Sequence, residues 1–209
     1  MTDCCNCSIN RPGGYKLTER GIELCGFFRN AKIADVGCGN GGTVRYLAYN
    51  HGADIIGVDI EVAYAASGDS WRIITADAAV LPFENSVFDG VIFECSLSKI
   101  KNPDAALNES FRVLKNGGKL LITDLYARGE AAELQGILGR LERWDDISHR
   151  TVKHGFQLLN FEDHTEVIKQ MWAELVFENG IDALYDDVGA DAETLKRIKC
   201  GYYLAVWKK

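Results

Sequence analysis

AKIADVGCGNGGT, residues 31–43, decides how this chain folds. Ile33, Ala34 and Val36 are small or apolar and suit a strand covered on both faces. Asp35 sits near the end of that strand. Gly37, Gly39, Gly41 and Gly42 follow within six residues, in a turn able to take positive φ and to admit a ligand against its backbone. Apolar residues return at Val44, Leu47 and Ala48, with Tyr46 between them, at helical spacing. Strand, glycine loop and helix is the arrangement at which open α/β folds hold a cofactor.

Two patterns overlap in the loop. Gly37, Gly39 and Gly42 fit the dinucleotide pattern G-x-G-x-x-G. Gly37, Gly39 and Gly41 fit G-x-G-x-G behind an acidic residue. Each is weak alone, and a tight turn that binds nothing is the bland alternative. The residues downstream decide between them.

DIIGVDIE (54–61) reads as a second strand ending in an acid, and Asp59 falls 20 residues after Gly39. That separation brings a carboxylate to the two ribose hydroxyls of an adenosine-containing cofactor. WRIITAD (71–77) is a third strand, with Asp77 at its end, and Pro82 breaks the chain after it. FDGVIF (88–93) is a fourth, followed by Glu94, Cys95, Ser96, Leu97 and Ser98 where ligands of such sheets lie. A helix over 103–114 leads to a strand over 119–123, ended by Asp124. Residues 126–150 read as a polar helix with a stripe of Leu134, Ile137, Leu138 and Leu141, placed as a cap over the cleft. GFQLLNF (155–161) is a strand, 166–177 and 191–197 are helical, and CGYYLAVW (200–207) is the last strand.

Ahead of the loop, residues 17–28 read as an amphipathic helix, and Tyr15 lies within reach of the cleft. Residues 1–14 read as a flexible tail bearing Cys4, Cys5 and Cys7. Cys4-x-x-Cys7 has half the spacing of a zinc site, but Cys25, Cys38, Cys95 and Cys200 are scattered singly, so no metal site is expected. An odd count of seven cysteines suits thiols in a reducing compartment. No apolar run is long enough to span a membrane and no signal core begins the chain, so a cytoplasmic protein is expected. The chain of 209 residues suits one domain, and its net charge of −7 disfavours a nucleic-acid partner.

Taken in order, ADVGCGNG (34–41), VDIE (58–61), ADAAVLPF (76–83), FDGVIFECSLSKI (88–100) and NESFRVLKNGGKLLITD (108–124) resemble the class I S-adenosylmethionine-dependent methyltransferases. The nearest likeness is to the small-molecule branch that includes the ubiquinone/menaquinone C-methyltransferases, the type 11 methyltransferases. GFQLLNF and YYLAVW fit that family's last two strands. The resemblance implies an α/β, Rossmann-like, seven-stranded, mostly parallel sheet with helices on both faces and an antiparallel last strand. It implies S-adenosylmethionine as cofactor and a small-molecule methyl acceptor. Asp35, Gly37, Cys38, Gly39, Asn40 and Gly41 would hold the methionine part. Asp59 would bind the ribose and Ile60 would lie against the adenine. Asp77 would accept from the adenine amino group, with Ala78 beside it. Glu94 and Cys95 would lie by the sulfonium, where family members commonly use backbone atoms.

No catalytic residue is assigned. His149, His154, Glu94 and Asp124 are the candidate bases, each better read as structural. Three alternatives stand beside this reading: a nicotinamide-dependent oxidoreductase, a non-catalytic S-adenosylmethionine-binding module, and a thiol-assisted metalloid methyltransferase using the cysteine tail. A nucleic-acid enzyme is disfavoured by charge and by ECSLS, which stands where amino-group methylating enzymes carry Asn/Asp-Pro-Pro-aromatic.

Overall fold

The computed structural model describes residues 11–62, 66–134 and 137–209. Cys4, Cys5 and Cys7 lie outside the described residues. The chain runs α1 (Gly14–Cys25), β1 (Lys32–Val36), α2 (Gly42–His51), β2 (Asp54–Asp59), β3 (Ala66–Ser67), β4 (Trp71–Thr75), β5 (Phe88–Glu94), a 3-10 turn (Leu97–Lys99) and α3 (Pro103–Val113). It continues with β6 (Leu114–Ala127), β7 (Ala132–Glu133), β8 (Arg140–Leu141), α4 (Trp144–Lys153), β9 (Gln157–Asp163), α5 (Thr165–Asn179), α6 (Ile181–Val188), α7 (Ala192–Ile198) and β10 (Cys200–Lys208).

The main sheet has the order β3-β4-β2-β1-β5-β6-β10-β9. Strands β4, β2, β1, β5 and β6 pair in parallel, and β10 is antiparallel to both β6 and β9. Successive side chains point to opposite faces. Ile33, Ile55, Ile92 and Leu121 therefore join the core under α1, α2, α5, α6 and α7. Their neighbours Ala34, Ile56, Val91 and Leu120 join the core under α3 and α4. Burial on both faces is why these strands read as unbroken apolar runs.

Three elements depart from the sequence reading. The sheet has eight strands rather than seven, because two-residue β3 pairs antiparallel with β4 at the edge. So short an element leaves no periodicity to read. Residues 126–150 are not one helix: β6 runs on to Ala127, β7 and β8 form a hairpin, and only α4 is helical. Leu138 and Leu141 are buried, but as part of the hairpin segment; Gly129 and Gly139 weaken a helix there. Nor does α4 cap the cleft, since Trp144 packs on Phe161 of β9. Helix α6 adds a layer that the sequence reading did not include.

At the start of the chain, α1 begins at Gly14, three residues ahead of the expected start, and the segment before it turns inward. On α5 Ile168 is buried, while the apolar Met171, Trp172, Leu175 and Val176 are half-buried. Three of those four, Met171, Trp172 and Leu175, line a cavity.

Candidate functional site

The order of the sheet reverses at β1, which pairs with β2 on one side and β5 on the other. Beyond the carboxyl ends of these strands lies the cleft that such a switch point opens. The glycine loop is pinned there by its own amides. Gly37 and Cys38 N–H donate to the Val58 carbonyl at 2.7 and 3.1 Å, and Gly41 N–H donates to the Cys38 carbonyl at 2.9 Å. Gly39 N–H donates to Asp59 Oδ2 at 2.8 Å, and Gly42 N–H to Asn40 Oδ1 at 3.2 Å. Gly37 has φ 80°, and a side chain on it would meet Ser96 Cβ at 2.4 Å.

Two cavities form the cleft. One, of about 240 Å³, is lined by Asp35, the loop residues Gly37, Cys38, Gly39 and Asn40, Glu94 and Cys95. The other, of about 430 Å³, is lined by Asp59, Ile60, Asp77 and Ala78. Gly37, Gly39 and Cys95 line both, so the two are continuous. Eleven of the twelve expected cofactor residues thus border one cleft. Gly41 does not; it turns the backbone into α2, with Ile73 packed where its side chain would stand.

Each carboxylate has a distinct setting. Asp59 ends β2, and its two oxygens accept from Gly39 and Glu61 N–H, which fixes the group facing the wider cavity. Asp77 is exposed and accepts from Ala79 N–H at 2.8 Å. Asp35 is 2% exposed and has no hydrogen-bond donor among the described residues. Burial pushes its carboxyl well above the usual range, and Glu94 and Asp59 push the same way against Arg11.

Glu94 has partners that the sequence did not suggest. Arg11 Nη2 sits 2.9 Å from its Oε2, and Thr18 and Thr43 hydroxyls donate to it at 3.0 and 2.7 Å. Arg11 lies in the stretch read as a loose tail, and a single arginine after a polar run carries no local signal. Tyr15 does reach the loop, through a 3.4 Å bond to the Gly42 carbonyl.

A third cavity, of about 340 Å³, opens beside the first between the sheet, α5 and α6. Cys95 lines all three. Its φ of 53° is a strained value for a residue with a side chain. Its Sγ lies 2.9 Å from Tyr202 Oη. Burial pushes the thiol up to about 12 and the phenol well above its usual value, so both stay protonated at neutral pH.

Three of the four candidate bases stand apart from these cavities. His154 bonds Asn108 and Asp104 on α3. His149 lines none of the three. Asp124 is buried and accepts from Ser98 N–H, Ser98 Oγ and Leu125 N–H. Cys38 turns its thiol against Gly57, and burial raises it beyond reach of ionisation.

A parallel sheet with a carboxylate-lined cleft at its switch point is the frame of the Rossmann-like proteins that bind an adenosine cofactor. Residues 34–122 match the methyltransferase-domain family. The stretch from β1 into β6 is thus a methyltransferase domain.

Among curated relatives, the chain is 30% identical over 159 residues to the sterol 4-C-methyltransferase of Caenorhabditis elegans, covering 71% of this chain and 46% of that one. It is 27% identical over 212 residues to the sarcosine/dimethylglycine N-methyltransferase of Aphanothece halophytica, covering 90% and 76%. The phosphoethanolamine N-methyltransferase of Triticum aestivum is 26% identical, with 74% of this chain and 32% of that one covered. The chain therefore spans less than half of the first and third. Among solved structures, the geranyl diphosphate C-methyltransferase of Streptomyces coelicolor superposes with a TM-score of 0.79 at 15% identity, covering 93% of this chain and 80% of that one. The [4+2]-cyclase SpnF gives 0.75 at 22%, covering 93% and 80%. These likenesses show the fold.

Proposed function

We propose that this chain transfers a methyl group from S-adenosylmethionine, held in the two-part cleft, to a small molecule held in the third cavity. The observation that carries the reading is the pair Asp35 and Glu94 beside a loop whose amides are already spent. Five loop amides, those of Gly37, Cys38, Gly39, Gly41 and Gly42, bond to the protein itself. With those amides spent the loop offers a pyrophosphate little, and the one cation lining that cavity, Arg11, is already matched by Glu94. That argues against the nicotinamide reading. A cofactor with an ammonium and a sulfonium has the opposite need: at the buried Asp35 carboxyl burial and Glu94 outweigh Arg11, and a further cation there would hold it ionised.

In this reading Asp35 and the loop face the methionine part. Asp59 keeps lone pairs for the ribose hydroxyls and Ile60 covers the adenine. Asp77 keeps one oxygen for the exocyclic amine, with Ala78 beside it. Glu94 shapes the methionine end while held by Arg11, Thr18 and Thr43. When bound, the cofactor supplies a methyl group on a sulfonium, open to in-line attack. The chain's part is to hold the two reactants in line and exclude water. Cys95, bordering all three of these cavities, marks where they meet.

The test is calorimetric titration with S-adenosylmethionine, S-adenosylhomocysteine and NAD, for the native chain and Asp59→Ala. Micromolar binding of the first two, weakened at least about thirtyfold in the variant, is expected from the loss of a charge-assisted bond pair. Binding of NAD alone overturns the reading.

A further inference from the structure

We infer that the methyl acceptor is an amine carried on an apolar body, taken up by the cavity between the sheet, α5 and α6. The inference rests on the cofactor reading above, since it concerns the second substrate of the same site.

The cavity has two unlike ends. Its walls are Leu125 of the sheet, Ile168, Trp172 and Leu175 of α5, and Leu184 and Val188 of α6. Trp172 and Leu175 are only half-buried, so an apolar body entering the cavity covers surface the fold leaves wet. The rim carries Glu174 and Glu178, four residues apart on α5, and Asp187 of α6. Helical spacing sets Glu174 and Glu178 on the same side as Met171 and Leu175. Two cations also border the cavity, Lys99 and Arg11. Arg11 is already matched by Glu94. The rim therefore carries an excess of negative charge, which draws a cation and repels a carboxylate or phosphate.

The inner end settles which cation. Cys95 lines the cavity and keeps its proton, as does the Tyr202 hydroxyl bonded behind it, so neither takes a proton from an acceptor. A phenol or alcohol would have to ionise in an apolar pocket against an acidic rim, which both features oppose. An ammonium is different. Leaving the rim for the apolar interior costs it solvation and lowers its affinity for the proton, which passes to water at the mouth. The free lone pair then attacks: an N–C bond forms, the S–C bond breaks, and its electron pair stays on sulfur. The nitrogen becomes cationic again, and the acidic rim favours that product. Glu174, Glu178 and Asp187 act as positioning residues for the amine.

Phenethylamine and tryptamine are the probes, with phenylpropionate and ethylphenol as shape-matched anionic and phenolic partners. Each is titrated with and without S-adenosylhomocysteine, then assayed for S-adenosylhomocysteine release. Both amines are expected to bind and be methylated, with the other two inert. Glu174→Gln/Glu178→Gln/Asp187→Asn is expected to raise the amine KM about tenfold, with kcat and cofactor affinity unchanged, since exposed charges act by weak additive steps. Equal or tighter use of ethylphenol or phenylpropionate overturns the inference, as does a triple variant with unchanged KM. A chain that binds S-adenosylhomocysteine but no amine overturns it alone. One that binds amine but neither cofactor form overturns the cofactor reading instead, and one that binds neither overturns both.

Discussion

Arg11 Nη2 lies 2.9 Å from Glu94 Oε2, with the two side chains only 9% and 4% exposed. The pair ties the segment before α1 to the last residue of β5. Thr18 of α1 and Thr43 of α2 bond both partners, at 2.6 and 3.1 Å from Arg11 and 3.0 and 2.7 Å from Glu94. Removing one charge from such a cluster strands the other where little water reaches it. Arg11→Met is expected to cost about 3 kcal/mol in urea unfolding. Adding Glu94→Gln to it costs less than the separate losses combined, by about 1–3 kcal/mol of coupling. Additive losses would mean that the threonines, not the ion pair, hold this corner.

The raised carboxyl of Asp35 makes two opposite pH dependences. Its native value lies above its unfolded value of about 3.9, so the folded state holds the proton longer. Its stability contribution is complete below the unfolded value and declines as pH rises through the native one. Cofactor affinity runs the other way, because the cation is best held by the ionised form. S-adenosylmethionine is expected to bind more tightly as pH rises through that window and to release a proton on binding. Calorimetry in two buffers of different ionisation enthalpy reads that proton directly. Asp35→Asn is expected to flatten both slopes; a slope that survives the substitution belongs to another group.

What the sequence made legible follows from how local each signal is. The order of β1, its glycine loop and α2 could be read because strand, turn and helix each carry their own period or residue type within a few positions. Asp59 and Asp77 could be placed because they stand at strand ends, and strand ends converge on one edge of the sheet. Arg11 could not, since its partner Glu94 lies far along the chain and nothing beside it in sequence demands a charge. The segment of the β7–β8 hairpin reads as helix because Leu134, Ile137, Leu138 and Leu141 repeat at helical intervals. Here a tertiary contact overrode that period. Cys95 was visible as a loop residue, but its place at the meeting of three cavities depends on α5 and α6.

Two loop glycines separate steric from conformational cost. At Gly37 an alanine meets Ser96 Cβ at 2.4 Å and must hold φ near 80°. At Gly39 an alanine meets nothing within 4 Å and needs only φ near 53°. Left-handed backbone costs an alanine about 1–2 kcal/mol, and a forced contact about 1–3 kcal/mol more. Gly37→Ala is expected to lose about 3 kcal/mol in denaturant unfolding, and Gly39→Ala about 1 kcal/mol. Ser96→Gly should return part of the first loss and none of the second. Equal losses at the two sites would show that the loop yields around Gly37.

Cys95 is a protonated thiol by this geometry, which sets it apart from a nucleophilic or metal-binding cysteine. Burial is the leading cause, Asp124 adds to it, and the Tyr202 hydroxyl at 2.9 Å only partly offsets it. Alkylation of Cys95 by iodoacetamide, followed by peptide mass mapping, is therefore expected to stay slow up to about pH 9, because the thiolate is what reacts. Tyr202→Phe removes that offset and should not speed the reaction. Methyl transfer should show no inflection between about pH 7 and 9 that Cys95→Ala abolishes, a range that contains the ordinary thiol value of about 8.5. Rapid alkylation at neutral pH, or such an inflection, would make Cys95 a thiolate in the working enzyme and return thiolate-held metalloids to the field of acceptors.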